Sequence, residues 1–217
     1  MTTTTTATRP SFWARAGSWA LRALRLELGI YAGIGRAIAR RPAIPAGAAG
    51  FSYHRPILTI LVIFIVLSAV EIPIFDLIVH RWPVVRIVVL ILGIWGLTWM
   101  VGYLCAMLMR PHVVGSDGIR ARSGIEIDIP LPWDDIASVE IARRVDEEKA
   151  PRIIDQDGRA TLALRIGNET NILILLERPS TVRLPGLAPK GGEHSVQGVR
   201  LWADDPKAFL RAVGTHI

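Results

Sequence analysis

Two long apolar runs dominate the chain. Residues 57–79 are interrupted only by Glu71, Pro73 and Asp76, and residues 87–109 carry no charge at all. At about 1.5 Å rise per residue each run spans roughly 34 Å, enough to cross a hydrocarbon core of about 30 Å. The intervening "HRWPVVR" leaves room for a tight turn only, so the pattern predicts a transmembrane helical hairpin over 57–109. Upstream, residues 11–41 read as one helix. On a helical wheel Arg15, Arg22, Arg25, Arg36 and Arg40 fall within about 80° of one another. Phe12, Trp19, Leu24, Leu28, Tyr31, Ile34 and Ile38 occupy much of the remainder. A basic stripe against a broad apolar face predicts an amphipathic helix lying in the membrane interface, with Trp19 and the five arginines in contact with lipid. A helix packed on a protein surface is the alternative. Gly29, Gly33 and Gly35 weaken it, each costing about 1 kcal/mol against alanine.

After Arg110 the period changes to two. "IEIDI" alternates strictly and "TLALRI" nearly does, with turn signals "GSDG", "RSG", "DQDG" and "GNET" between runs. Strands are expected near 112–115, 118–122, 125–129, 137–143, 151–154, 160–166, 171–177 and 197–202. "ADDPKAFLRAV" closes the chain as a helix, capped by Asp204 or Asp205 with Pro206 in its first turn. The expected domain, 110–217, is thus a small antiparallel sandwich or partly open barrel with a C-terminal helix. Residues 1–10 read as a disordered polar tail, and 42–56 as a linker with Phe51 and Tyr53 at headgroup level.

Composition sharpens this picture where it is unevenly distributed. The chain has 217 residues, 51% of them hydrophobic, and a mean hydropathy of +0.37. The net charge of +6 belongs to the N-terminal arm: residues 1–55 hold eight Arg and one Glu, whereas 110–217 are nearly balanced. A basic arm beside an apolar hairpin points to anionic lipid rather than nucleic acid. Arg36, Arg40, Arg41 and Arg55 precede the first run and Arg110, Arg120 and Arg122 follow the second. The positive-inside rule then places both termini in the cytoplasm, on a multi-pass protein of the cell membrane. No cleavable signal peptide is expected, since no apolar stretch follows a short basic start. A single cysteine, Cys105, excludes an intrachain disulfide. Arginine outnumbers lysine heavily, as a GC-rich bacterial genome would encode.

The stretch "HVVGSDGIRARSGIEIDIPLPWDDIASVEI" with the terminal "DDPKAFLRAV" resembles the pleckstrin-homology-like (PH-like) domains attached to bacterial membrane hairpins. It is also similar to a family of actinobacterial two-span membrane proteins with a basic arm and a cytosolic β domain. The shared pattern is strand, Asp-Gly, strand, Gly, strand, and then a turn from Trp133 to Ile136. The resemblance covers about half the chain closely. It implies an α+β membrane protein with a PH-like cytosolic domain, membrane association and protein or assembly contacts, but no particular ligand.

Candidate chemistry is sparse. Glu71, Asp76 and Arg86 are ionisable groups within or beside the apolar runs, where insertion costs several kcal/mol unless they are paired or neutralised. A structural Glu71–Arg86 pair, a protonated Glu71 bonded to Ser68, and a proton-linked site at Glu71 are the readings; Asp76 is expected to be hydrated at the outer surface. Thr98, Gly102 and Ala106 form a small-residue stripe for packing on the first span or on another copy. Trp95 and Trp99 read as packing residues. The Trp133-Asp134-Asp135 turn is a poor active site, because adjacent turn residues rarely converge. The five histidines lack metal-ligand spacing, and no phosphate loop, nucleophile elbow or HExxH helix occurs. Arg120 and Arg122 share a strand face, with Arg143 and Arg144 expected nearby, and offer nonspecific lipid contact. The expectation is a non-enzymatic, cofactor-free membrane scaffold whose β domain binds a protein partner or a second copy. A small transporter or channel subunit using Glu71 is the alternative.

Overall fold

In the computed structural model the chain is described over residues 12–145, 153–156, 158–186 and 191–216. The expected tail (1–10), the acidic run at 146–148 and the start of the 151–154 strand lie outside the described residues. Helix α1 (Phe12–Ile38) is followed by a short strand β1 (Ala49–Phe51), then by α2 (Arg55–Ile78) and α3 (Pro83–Met109). Both α2 and α3 are long and apolar enough to cross a membrane. Each starts with proline in its first turn, where a missing N–H costs nothing. The partly covered residues of α2 include Leu61, Ile65, Ser68, Ile72 and Asp76, the three-and-four spacing of one face. That face meets α3: Ser68 Oγ approaches Met100 Sδ at 3.7 Å, and Ile72 lies against Gly93.

The small-residue stripe of α3 is occupied by α1, not by α2. Gly102 and Ala106 are buried beneath Ile30 and Gly33, and a methyl placed on Gly102 would overlap Ile30 Cγ2. A Cβ on Gly33 would come within 2.9 Å of the Ala106 backbone nitrogen. Of the three glycines that weaken α1 as an isolated helix, Gly33 is the one that lets it approach α3 closely; Gly29 makes room for Ile125, in the turn at 124–126. Gly33→Leu is expected to release α1. The propensity gain of about 1 kcal/mol is outweighed by an overlap with backbone that costs about 1–3 kcal/mol. Gly35, with nothing within 4 Å, serves as the control. Amide exchange across 12–38 should rise in Gly33→Leu and not in Gly35→Leu; equal protection in the two would refute the docking.

Beyond the hairpin come β2 (His112–Gly115), β3 (Gly118–Ser123), β4 (Ile127–Leu131), a 3-10 turn (Trp133–Asp135) and β5 (Ile136–Arg144). Then follow β6 (Ile153–Gln156), β7 (Arg159–Leu164), β8 (Thr170–Leu184), β9 (Gly192–Leu201) and α4 (Pro206–Val213). One sheet has the order β1-β2-β3-β4 and the other β5-β8-β9-β7-β6. Ile119, Ala121, Ile129 and Leu131 from the first pack on Leu162, Ile172, Ile174 and Val199 from the second, and Phe209 and Val213 of α4 close the core. Asp205 caps α4 by accepting from Ala208 N at 2.9 Å. Asp204 instead accepts from the backbone N–H of Arg55.

Three expectations change. The second sheet is mixed: β9 inserts between β7 and β8, parallel to β7 and antiparallel to β8. Alternating residues specify a strand's face, not its neighbours. The fourth strand begins at Ile127, two residues late, because Gly124 takes φ +57° and residues 124–126 are spent in the turn. Residues 42–56, read as a linker, carry β1, which pairs Gly50 with Val113 and Phe51 with His112. Phe51 is then packed edge-on against Phe209 at 5.1 Å and Tyr53 is buried, so both rings pack within the protein. An Ala-Gly-Phe strand has too little side chain to show a period.

Candidate functional site

The helices and the sheets meet around a polar junction. Arg122, on β3, is buried. Its Nε bonds Asp128 at 3.2 Å, and its Nη1 donates to the carbonyls of Ala43 and Pro111. It thereby ties the segment after α1, the end of α3 and the β3–β4 pair together. Asp128 stands opposite Arg122 in register, and takes Arg120 at 3.0 Å and Arg110 at 3.7 Å as well. Burial lowers the pKa of Arg110, opposed by the Asp128 charge.

Beside this cluster His112 is wholly enclosed. Its Nδ1 accepts the Arg122 backbone N–H at 3.0 Å, so the proton resides on Nε2, which donates to Trp202 O at 3.0 Å. Burial pushes its pKa down from 6.5 to about 4. The Tyr53 ring lies 4.8 Å from it. The Tyr53 hydroxyl accepts from Gly124 N at 3.1 Å, and its pKa is pushed up to about 12, chiefly by burial. Tyr53, Met107 and Ile166 form a second, small apolar core at the junction.

A cleft opens next to that core. Leu26 of α1, Ile57 of α2, Trp99, Tyr103 and Met107 of α3, the 123–127 turn and residues 165–167 line a cavity of about 280 Å3. A neighbouring cavity of about 220 Å3 shares Ser123, Ile127, Arg165 and Gly167 and extends to Asn168. Gly167 and Asn168 have φ of +59° and +67°, the conformation of a tight two-residue hairpin turn that favours Gly and Asn. Trp99 stacks on Tyr103 at 6.3 Å, forming the apolar end.

The residues singled out in the sequence are distributed differently from expectation. Arg22 is held by Glu126 in a two-pronged pair, both contacts 2.8 Å, which raises its pKa. Trp19, Arg25, Arg36 and Arg40 are exposed, and the Arg15 side chain lies outside the described residues. Arg86 pairs with Asp76, at 2.6 and 2.8 Å, and not with Glu71. The reason is angular: Asp76 continues the stripe of α2 that faces α3, whereas Glu71 is one residue, about 100°, off that stripe. Glu71 is exposed and has no hydrogen bond or ion pair among the described residues; Ser68 is turned to Met100 instead. Thr98 bonds its own helix at Ile94 O. Arg143 pairs with Glu169 on the second sheet, away from Arg120 and Arg122. Asp135 of the Trp133 turn pairs with Arg178.

Sequence reasoning passed over Glu27, the one acid of the basic arm. Its carboxylate accepts the indole N–H of both Trp95 and Trp99 at 3.0 Å and the Tyr31 hydroxyl at 3.3 Å, locking α1 to α3. A solitary acid among eight arginines was the signal available. It also passed over His112, Asp128 and Arg165, whose neighbours are distant in sequence. Among the described residues no group of three or more His, Cys, Asp or Glu is placed to hold a metal ion. No family model, curated protein or solved structure matches the chain.

Proposed function

We propose that this chain is an integral, two-span protein of the cell membrane whose PH-like cytosolic domain serves as a non-enzymatic scaffold, binding a protein partner or a second copy. The membrane placement is supported by α2, none of whose residues is buried, and by the apolar surface that α2 and α3 leave uncovered. The pairing of β1 with β2 across the hairpin supports both termini being on one side, since the two strands flank α2 and α3. With the exposed Arg25, Arg36 and Arg40, that side is the cytoplasmic one, facing anionic headgroups. Two sheets closed by α4 support the PH-like reading, although the parallel β7–β9 pair departs from an all-antiparallel design.

The observation that carries the binding role is β5. This nine-residue strand is at the edge of its sheet: β8 is its one strand neighbour, α4 packs against part of it, and Arg200 of β9 donates to Ala142 O, while Ile141 and Val145 are exposed. An open edge next to apolar side chains is a template for strand addition. A photo-crosslinker at position 141, activated in native membranes, is expected to capture a partner or a second copy, identified by mass spectrometry. Ile141→Lys should lower that capture at position 139 by about tenfold. No adduct from either position would reject the role. Glu71 favours the alternative reading, a transporter or channel subunit. Unpartnered among the described residues, it would take its counterpart from a neighbouring subunit, and an adduct at position 71 alone would favour that reading.

A further inference from the structure

The surface of α1 is divided into three sectors, roughly 100–130° apart on a helix of 3.6 residues per turn. Gly33, Ile30 and Glu27 fill the sector that meets α3. Leu21, Leu24, Leu28, Tyr31 and Ile38 fill the second and are 49–80% exposed, so no part of the described chain covers them. Arg25 and Arg36, also exposed, fill the third. With the first sector against an α3 that crosses a bilayer, the apolar sector meets acyl chains and the basic one meets anionic headgroups. Arg22, held by Glu126, and Gly29, against Ile125, keep the helix beside the β domain. Its contacts with α3 run from Trp95 to Ala106, the stretch that leads into that domain. One leaflet therefore holds three helices and the other two. From Leu21 to Ile38 the extra helix is about 25 Å long and about 10 Å wide, and displaces roughly 250 Å2 of that leaflet alone. A leaflet spread by curvature accepts such a wedge at lower cost than a flat one. We propose that the docked α1 makes this a curvature-selective membrane protein, concentrating where the bilayer is convex on the side that bears the β domain.

A free amphipathic helix answers curvature by binding and release. Fixed to a membrane-crossing hairpin, α1 cannot leave, so the response is lateral sorting. The inference rests on the membrane placement proposed above and not on the contact at β5. It is tested with the full chain, carrying a C-terminal epitope tag, reconstituted in giant vesicles of phosphatidylglycerol and phosphatidylcholine. A fluorescent antibody fragment added outside marks only molecules whose β domain faces out, and a membrane tube is drawn outwards from the vesicle. Relative to a lipid dye, the marked molecules should be denser in the tube than in the vesicle wall. Leu24→Ser combined with Leu28→Ser leaves the α3 sector intact and should abolish the enrichment, which separates the wedge from crowding by the β domain. If that variant does not reconstitute, Leu21→Ser alone should reduce the enrichment. Equal wild-type densities in tube and wall, or an enrichment that survives the substitution that reconstitutes, overturn the inference alone. A wild-type chain that does not float with vesicles overturns the membrane placement and the inference together.

Discussion

Asp128→Ala is expected to destabilise the protein by about 3 kcal/mol, the lower end of the range for breaking a buried ion pair. The Arg122 side chain is only 6% accessible, whereas Asp128 is 25% accessible. Water can therefore relieve part of the loss at the carboxylate position but little of it at the guanidinium. The two carbonyls that Arg122 also meets satisfy N–H groups without neutralising charge. Arg110 and Arg120 would then face Arg122 with no anion between them. Because Arg122 ties residues after α1 and after α3 to the first sheet, the loss should appear as loosening of the whole junction. Unfolding in detergent, followed by tryptophan fluorescence, measures it. A shift below about 1 kcal/mol, the value of a surface pair, would show that the cluster is not structural. Combining Asp128→Leu with Arg122→Met should recover only part of the stability: the apolar pair needs no counter-charge, but Arg110 and Arg120 lose their anion and the Ala43 and Pro111 carbonyls lose their donor.

Acidification should weaken the same junction through His112. Protonation would place a second N–H against the Arg122 amide, and a cation beside the Arg122 guanidinium. The Asp204 carboxylate offers partial relief. The folded pKa, about 4, lies below the ordinary 6.5, so the unfolded chain binds the proton first. Stability is thus fully present above pH 6.5 and is lost as pH falls towards 4, by roughly 3 kcal/mol over the window. The pH dependence of unfolding should lose this slope in His112→Gln. A wild-type stability that stays flat between these limits would contradict the buried neutral imidazole.

Local patterns made much of the architecture legible. The two charge-poor runs specified α2 and α3, because a helix of that length and apolarity has no other economical environment than lipid or a large core. Turn residues located the strands after Arg110 but not the arms by which β8 continues to Leu184 and β9 starts at Gly192: Gly118 takes φ +131° and Gly167 φ +59° where "DG" and "GN" mark turns. The Asp205–Pro206 start of α4 was equally local.

What the sequence by itself determined is therefore which segments form helices and strands, and which face of each is apolar. Those properties follow from backbone geometry repeating every 3.6 or 2 residues. Tertiary structure alone decided the partners. It seated α1 on Gly102 and Ala106, gave Arg86 to Asp76 over Glu71, joined β1 to β2 across the hairpin, and slid β9 between β7 and β8. Each of these pairings links segments whose separation carries no periodic signal, and each is selected by shape and charge matching that exists only once the elements are side by side.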